Sequence, residues 1–387
     1  MSGWTAAWTT SPQRPGVGFA PNWSEEGFTD RTIRQTVRLS VGGDGLRVRL
    51  SNRFGTTPLH VAGLTVAAAT GGAAIKPDTL RELTVAGKPA FAVPAGAELA
   101  TDAVSYAVDA LDSVTITMHL ADPSGPATYH AQALATTYRA AGDHRRDGDG
   151  AAFTETSQSW YYLGGVDVTG ATGDGIVVFG DSLTDGTGST PDTNHRFPDL
   201  LAQRLVTAGR ARAVLNQGIG GNRVTVDSEW LGERATARFA RDVLGQPGVR
   251  TVIILLGIND IGISEVAEAS PFPTFAPYTE VSAEEVIAGH RDLIRQARAA
   301  RLRVVGATVM PAKPSVFSTM RSEGKRAAIN TWIRTGGEYD AVIDFDRALT
   351  SPSVPDRLDG TFDSGDHLHL NDVGYQAMAD AIDLTHL

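Results

Sequence analysis

Four short blocks of polar residues and glycines carry the side chains that could do chemistry together. The first contains a serine, the second several glycines, the third an asparagine, and the fourth an aspartate followed by two histidines. The blocks are Gly180–Leu183, Asn216–Arg223, Gly257–Asp260 and Asp363–Asn371. Acyl transfer by a serine needs a nucleophile, a base, a group that orients the base, and donors for an oxyanion. The four blocks contain a residue type suited to each of these roles.

Ser182 is the candidate nucleophile. Its block directly follows an apolar run at 176–179, and ligands of open α/β sheets bind beyond the carboxyl ends of the strands. Its backbone N–H would lie near the start of the next helical segment, where it can meet developing negative charge. Asp181 is expected either to brace this loop or to cap a turn. Taken alone, the block is also compatible with an ordinary strand-ending turn.

The second and third blocks offer donors. A glycine in the second block lets the backbone approach a substrate closely and present an N–H. In the third block, Asn259 could donate its side-chain amide to an oxyanion. A loop rich in glycine and a helix cap at the Asn-Asp pair are the alternatives.

The fourth block offers the base. Asp366 and His369 are three residues apart, so their side chains can lie side by side in a turn or at a helix start. The carboxylate can then fix the imidazole tautomer and leave the second ring nitrogen to take a proton from Ser182. Seven other histidines are interpreted as surface or packing residues: His60, His119, His130, His144, His195, His290 and His386.

The elements that must position these blocks alternate in type. Short apolar runs are separated by segments of helical periodicity, which indicates a parallel sheet with helices on both faces. The apolar runs lie at 176–179, 214–215, 252–256, 304–309 and 341–345. The predicted helices lie at 198–208, 234–244, 282–301, 321–334 and about 372–382.

The front of the chain has a different pattern. Apolar residues alternate with polar ones over 33–41 and 46–50 around the turn 42–45, which predicts a β-hairpin. The same alternation recurs at 114–120, and no long amphipathic helix is predicted before about residue 170. These features favour a β-sandwich or jelly-roll-like domain. The Gly-rich stretch 170–175 then divides the chain into domains at 1–170 and 171–387.

Composition excludes several classes of function. The 387 residues are 42% hydrophobic and 20% charged, as in globular proteins, and a net charge of −10 argues against nucleic-acid binding. The absence of cysteine rules out disulfides, a catalytic thiol and thiolate metal sites. No apolar run approaches the roughly 18 residues that span a bilayer. Residues 1–4 lack signal-peptide features, so we expect a cytoplasmic protein or a secreted one whose signal was removed.

At these four blocks the sequence resembles the SGNH hydrolases, also called GDSL esterases. The blocks read GDSL at 180–183, GIGGN at 218–222, GIND at 257–260 and DHLH at 366–369. Over 171–387 the resemblance implies a flavodoxin-like α/β/α fold and ester hydrolysis without a cofactor or metal. It implies three catalytic residues, Ser182, Asp366 and His369. It also implies an oxyanion hole formed by the N–H groups of Ser182 and Gly221 and the Asn259 amide. Gly221 fits the family better than Gly220, and His369 fits better than His367.

The front of the chain is similar to the β-rich N-terminal region of two-domain bacterial members of the family. The similarity is carried by 34–38 and 49–55, and some of those members are described as XynE-like arylesterases or acylhydrolases. Together the resemblances predict a serine esterase acting on carboxylic esters with a short acyl group, such as acetyl. The expected substrate is a small molecule or a carbohydrate-linked ester.

Three alternatives remain open from the sequence. The enzyme could be an acyltransferase or deacetylase acting on carbohydrate, with a glycan-binding β domain whose aromatic platforms are Trp4, Trp8, Trp23 and 160–162. It could be a metal-dependent hydrolase, for which the candidate ligands are Asp363, Asp366, His367, His369 and Asp372. The apolar, Pro-rich stretch 270–278 could form a lid or pocket wall rather than a plain surface loop.

Overall fold

The computed structural model describes residues 3–171, 174–266 and 275–387. The chain divides into two compact units. The first is Met1–Gly173 with Pro191–Asn194, and the second is Asp174–Thr190 with His195–Leu387.

The first unit is built from strands. Within residues 3–171 the only helical element is a 3-10 turn at Pro77–Thr79, in line with the expected lack of a long helix. The strands are β1 Trp4–Thr9, β2 Arg31–Arg38, β3 Gly43–Ser51, β4 Leu59–Val61, β5 Gly63–Gly71, β6 Ala74–Ile75, β7 Arg81–Leu83, β8 Phe91–Val93, β9 Glu98–Ala100, β10 Val104–Val108, β11 Ser113–Leu120, β12 Tyr129–His130, β13 Thr137–Ala141, β14 Glu155–Ser157, β15 Trp160–Tyr161 and β16 Leu163–Thr169.

These strands form two large antiparallel sheets. The five-stranded sheet has the order β1-β16-β3-β10, with β9 also paired to β3. The seven-stranded sheet has the order β14-β13-β2-β11-β5-β6, with β7 also paired to β5. Two small pairs, β4-β8 and β12-β15, complete the unit.

Strand β3 shows why this sequence forms strands. Leu46, Val48 and Leu50 are buried on one face, as the period of two predicts. On the other face Arg47 and Arg49 lie 2.9 Å and 3.0 Å from the buried carboxylate of Asp167 on β16. One acidic side chain therefore forms ion pairs with two arginines across the strand pair.

The predicted hairpin between β2 and β3 is wrong. The two strands belong to different sheets: β2 pairs with β11 and β13, and β3 pairs with β16 and β10. Strand β2 ends at Arg38, and the backbone of Leu39 then bonds to Leu111 and Asp112. The alternation of apolar residues shows that each strand has one buried face. It does not show which strand pairs with which, because contacts between distant parts of the chain decide the pairing.

The candidate aromatic platforms of the first unit are mostly buried. Trp8, Trp23, Trp160, Tyr161 and Tyr162 are each at most 9% exposed, and they pack against one another or against other buried rings. The remaining one, Trp4, is half-buried beneath the Arg47 guanidinium. The five buried side chains therefore belong to the core and do not form an open face.

The second unit is an α/β structure. Its strands are β17 Gly175–Gly180, β18 Val214–Gly218, β19 Val249–Leu255, β20 Arg303–Ala307 and β21 Ala341–Ile343. Its helices are α1 Ser182–Asp185, α2 Phe197–Thr207, α3 Ala235–Phe239, α4 Ile258–Val266, α5 Ala283–Ala299, α6 Met320–Thr335, α7 Phe345–Ala348 and α8 Asp372–Asp380. A π-helical turn, Ala240–Leu244, continues α3, and a 3-10 turn, Leu384–His386, follows α8.

All five predicted strands and all five predicted helices of this unit are confirmed. The three helices that were not predicted, α1, α4 and α7, are short and start within two or three residues of a strand end. Helix α5 illustrates the local signals: Ser282 and Glu285 form a capping box, and Val286, Leu293 and Ala297 lie on its buried face. Across the described ranges, none of the helices combines the length and apolar character needed to cross a membrane.

The sheet of the second unit is entirely parallel. Its order is β18-β17-β19-β20-β21, so the chain moves one way from β17 to β18 and the other way from β19 onward. A ligand crevice forms at such a switch point, outside the carboxyl ends of the strands. The fold therefore predicts a site beyond the ends of β17, β18 and β19.

Candidate active site

The register of the parallel sheet brings three of the sequence blocks to one edge. Gly180, the last residue of β17, lies opposite Gly218 on β18 and Leu255 on β19. The loops that carry the serine, glycine and asparagine blocks therefore start at the same level on neighbouring strands. This placement follows from strand register alone.

The serine lies at the start of α1. Asp181 caps this helix, and its carboxylate accepts a hydrogen bond from the Leu183 N–H at 3.1 Å. Ser182 is 6% exposed, so only a small part of the residue is open to solvent. The backbone of Gly218 lies so close that an added Cβ would be 2.3 Å from the Asp185 nitrogen. A side chain at position 218 would therefore displace the serine loop.

The fourth block approaches the serine from a distant part of the chain. His369 Nε2 lies 2.9 Å from Ser182 Oγ, and His369 Nδ1 lies 2.6 Å from Asp366 Oδ2. The other oxygen of Asp366 accepts the backbone N–H groups of Leu368 and His369 at 2.9 Å and 2.8 Å. The turn thus fixes the carboxylate, and the carboxylate fixes the imidazole.

The charged form of Asp366 is favoured in this turn. Burial would raise the pKa of Asp366, but the hydrogen bond and charge of His369 together with the two backbone donors hold that pKa well below its ordinary value. Asp366 therefore remains a carboxylate at neutral pH and can stabilise a protonated His369.

His367 occupies a different place. Its Nδ1 lies 2.5 Å from Asp363 Oδ2, and half of its side chain is exposed. The block therefore contains two similar histidine–aspartate pairs, of which the pair at 366 and 369 contacts the serine.

The residues considered for a metal site are separated into pairs. Besides the two pairs in the fourth block, Asp372 lies 3.0 Å from His195. In the part of the chain that the structure describes, no group of three or more His, Cys, Asp or Glu side chains is arranged to hold a metal ion. The cluster that the metal hypothesis requires is therefore not formed by these residues.

Two backbone N–H groups in the first two blocks are free to donate to a ligand. Gly221 has a φ of 74°, and its N–H, like that of Ser182, has no acceptor among the described residues. By contrast, the N–H of Gly220 donates to Asp185 Oδ2 at 2.9 Å. One N–H of the Asn259 amide donates to the Asn222 carbonyl at 3.2 Å, which links the second and third blocks.

Comparison with known proteins identifies the family. The profile of the GDSL-like lipase/acylhydrolase family matches residues 178–377, just over half of the 387 residues. The chain belongs to this family. It is an ester hydrolase, and all four blocks lie within the matched range.

Several solved structures are similar to part of this GDSL-family chain. The lipase/acylhydrolase from Enterococcus faecalis is 20% identical with a TM-score of 0.41, covering 54% of this chain and 93% of that one. An acetyl xylan esterase is 21% identical with a TM-score of 0.40, covering 53% and 96%. A protein of Agrobacterium tumefaciens described as an arylesterase is 22% identical with a TM-score of 0.38, covering 54% and 96%. Among curated proteins, no sequence matches the chain.

Two buried charged residues that were not predicted also contact the loops of this GDSL hydrolase. Asp185 holds the N–H of Gly220, and Arg238 on α3 donates to the carbonyl of Gly180 at 2.8 Å. A sequence signal for Arg238 does exist. Arg238 and Asp242 are four residues apart and share a helical face with the apolar Ala235, three residues before Arg238, so a charged pair occupies a face that should be buried.

The stretch 270–278 can be described only in part. Residues 270–274 lie outside the described ranges, so the lid hypothesis is not addressed there. Phe275 packs edge-on against Phe317, and the carbonyl of Pro277 accepts from Arg223 at 2.6 Å. The end of this stretch therefore contacts the residue that follows Asn222.

Two buried carboxyl groups behind the site, those of Asp260 and Asp181, have raised pKa values, whereas the pKa of Asp366 is lowered. Asp260 accepts hydrogen bonds from Val224 and Thr225, and burial still raises its pKa to about 6. Burial and the nearby Asp260 raise the pKa of Asp181 to about 7, although the Leu183 N–H lowers it. One oxygen of Asp181 is buried with no hydrogen-bond partner.

The raised pKa of Asp181 predicts a pH-dependent stability. Below the unfolded-state value of about 4 the carboxyl is neutral in both states, and between about 4 and 7 the folded state binds more protons. The free energy of unfolding should therefore fall as pH rises through that window. Asp181→Asn should reduce the fall by at least about 1.4 kcal/mol, the equivalent of one pKa unit.

Denaturant unfolding at several pH values between 4.5 and 7.5 measures this effect. Glu284→Gln, at an exposed position in the first turn of α5, is the matched control and should keep the wild-type slope. Equal slopes for the wild type and Asp181→Asn would contradict the assignment.

Proposed function

We propose that this chain is a serine esterase that hydrolyses carboxylic esters through an acyl-enzyme on Ser182. The single observation that carries the proposal is the continuous contact from Ser182 Oγ through the His369 ring to the Asp366 carboxylate, at 2.9 Å and 2.6 Å. These are the contacts that a nucleophile, its base and an orienting carboxylate require.

Acylation follows from this arrangement. With Asp366 holding Nδ1–H, Nε2 of His369 accepts the hydroxyl proton of Ser182 as Oγ attacks the ester carbonyl carbon. The carbonyl π bond opens, and the oxyanion is held by the N–H groups of Ser182 and Gly221 and by the Asn259 amide. Each such donor contributes about 3 kcal/mol to transition-state stabilisation.

Collapse of the first oxyanion re-forms the carbonyl and breaks the bond to the alkoxide. The protonated His369 gives its proton to this alkoxide, so the alcohol departs and the acyl group remains on Oγ. Deacylation repeats these steps with water. Water then loses a proton to His369 while attacking the acyl carbon. Collapse of the second oxyanion releases the acid and returns the proton to Ser182. Asp366 stabilises the imidazolium in both halves because it remains charged.

The two units have proposed architectures of their own. We propose a β-sandwich or jelly-roll-like accessory domain at 1–170, supported by the two large antiparallel sheets. We propose a flavodoxin-like catalytic domain at 171–387, supported by the parallel strand order 2-1-3-4-5. The acyl group is proposed to be short, such as acetyl, on the basis of the family resemblance.

Substitution within the two histidine–aspartate pairs tests the assignment. Ser182→Ala and His369→Ala should each lower kcat by at least about 10³-fold because the nucleophile and base act as a unit. His367→Ala is the matched control, since it removes an imidazole held by Asp363 in the same block, and it should stay within about threefold of the wild type. Equal losses at 367 and 369 would reverse the choice of base.

Covalent labelling provides an independent measurement. A sulfonyl or organophosphorus reagent should add one group to the wild type at Ser182, identified by peptide mass spectrometry, and none to Ser182→Ala. Labelling at a different residue with loss of activity would move the active site.

A substrate series measures which acyl group the enzyme prefers. We expect the highest kcat/KM for acetyl and other short acyl groups in a panel of p-nitrophenyl esters, with acetylated sugars assayed beside them. Product analysis with added acceptor alcohols separates hydrolysis from acyl transfer. A preference for long acyl chains would overturn the short-acyl proposal.

Chelation tests the metal alternative. The proposed mechanism uses only residues of the chain, so prolonged incubation with a chelator followed by its removal should leave kcat unchanged. Loss of activity that returns with a divalent cation would support the metal-dependent alternative instead.

A further inference from the structure

A fully buried arginine lies beneath the loops of the candidate site. Arg238 is on α3, and its side chain is 0% exposed. A buried charge is costly unless it is paired and its donors are satisfied. The acceptors that satisfy Arg238 therefore show what this charge does in the fold.

The guanidinium connects two of the catalytic blocks. Its Nη2 donates to the carbonyl of Gly180, two residues before the serine, at 2.8 Å. Its Nη1 donates to the carbonyl of Gln217 at 2.9 Å. Its Nε donates to Asn222 Oδ1, in the residue after Gly221, at 3.0 Å. These contacts fix the end of β17, the end of β18 and the glycine loop to one planar group.

Asn222 extends the connection to the third block. Its amide nitrogen donates to the carbonyls of Leu231 and Glu233 at 2.8 Å and 2.9 Å. Its backbone carbonyl accepts the Asn259 amide at 3.2 Å. Arg238 and Asn222 together therefore link the loops that carry all three proposed oxyanion donors.

The guanidinium is itself held from behind. Asp242, in the π-helical turn that continues α3, accepts from Arg238 Nη1 at 2.9 Å, and Arg241 in turn contacts Asp242. The centre of the Phe179 ring lies 4.1 Å from the guanidinium carbon of Arg238. π-Helical turns are rare and are frequently found at functional sites. With a counter-ion behind it and a ring against it, the planar group has little freedom to move.

We propose that Arg238 is a positioning residue that sets the geometry of the oxyanion hole by fixing Gly180, Gln217 and Asn222 to one rigid fork of donors. The inference rests on the proposed roles of Ser182, Gly221 and Asn259. It goes beyond them because the hydrogen bonds of Arg238 described above end on groups other than the proposed nucleophile, base and oxyanion donors. A lysine at position 238 would keep the positive charge but could not present three donors in one plane. Arg238→Lys should therefore disturb the positions of the three acceptors although the charge is retained.

Arg238→Lys tests the proposal against Arg326→Lys, a matched control. Arg326 is another buried arginine of the second unit, on α6, and it pairs with Glu323 at 3.0 Å and with Asp346. Both variants should lower the thermal midpoint. Only Arg238→Lys should lower kcat, by about 10- to 100-fold with KM within about threefold, because a displaced oxyanion donor costs transition-state stabilisation up to about 10³-fold. The rate of Ser182 labelling should fall in parallel.

An Arg238→Lys enzyme that loses stability as Arg326→Lys does but keeps kcat and the labelling rate would overturn the proposal. Should Arg238→Lys fail to fold, Asn222→Ala decides, with Asn222→Asp as its control. Alanine removes the acceptor of Arg238 Nε together with the two amide donors to Leu231 and Glu233, whereas aspartate removes only the donors. A several-fold loss of kcat at unchanged KM in Asn222→Ala but not in Asn222→Asp supports the positioning role, and an unchanged kcat or an equal loss in both variants overturns it. Labelling of the wild type at a residue other than Ser182 would refute the proposed function itself, which separates the two failures.

Discussion

The site depends on one constraint, the register of three neighbouring parallel strands. Because β17, β18 and β19 end at the same level, residues that are 39 and 77 positions beyond Ser182 in the sequence start from one edge of one sheet. The switch in chain direction around β17 leaves a crevice there. Only the histidine block must reach this edge from another part of the chain, and its own turn, closed by Asp366, orients it.

The same edge contains carboxyl groups in opposite electrostatic situations. Asp366 is surrounded by donors and stays charged, whereas Asp181 is buried with one oxygen unpartnered and has a raised pKa. The difference arises from donors and burial, since the side chains are chemically identical. Asp366 can therefore act on a developing positive charge, while Asp181 serves the backbone as a helix cap.

Hydrogen bonds from a buried arginine connect the site to helix α3 of the second unit. A guanidinium can satisfy several carbonyls at once, which suits the ends of parallel strands, where carbonyl groups leave the sheet without partners. Arg238 fills this role beneath the first two blocks. In the first unit Arg47 and Arg49 share the buried Asp167, so arginine is also used there to connect strands.

The sequence by itself determined the type and position of the elements in the second unit, because buried strands and amphipathic helices leave periodic apolar patterns. It also located the four blocks, because glycine, serine and Asn-Asp pairs at strand ends are local signals. It predicted a false hairpin between β2 and β3, since alternation does not encode a partner strand. It could not show from spacing alone which histidine meets Ser182, since His367 and His369 follow Asp366 within three residues. Only the tertiary structure decided that, and only it revealed Arg238, because contacts between residues far apart in the chain depend on packing that no local pattern records.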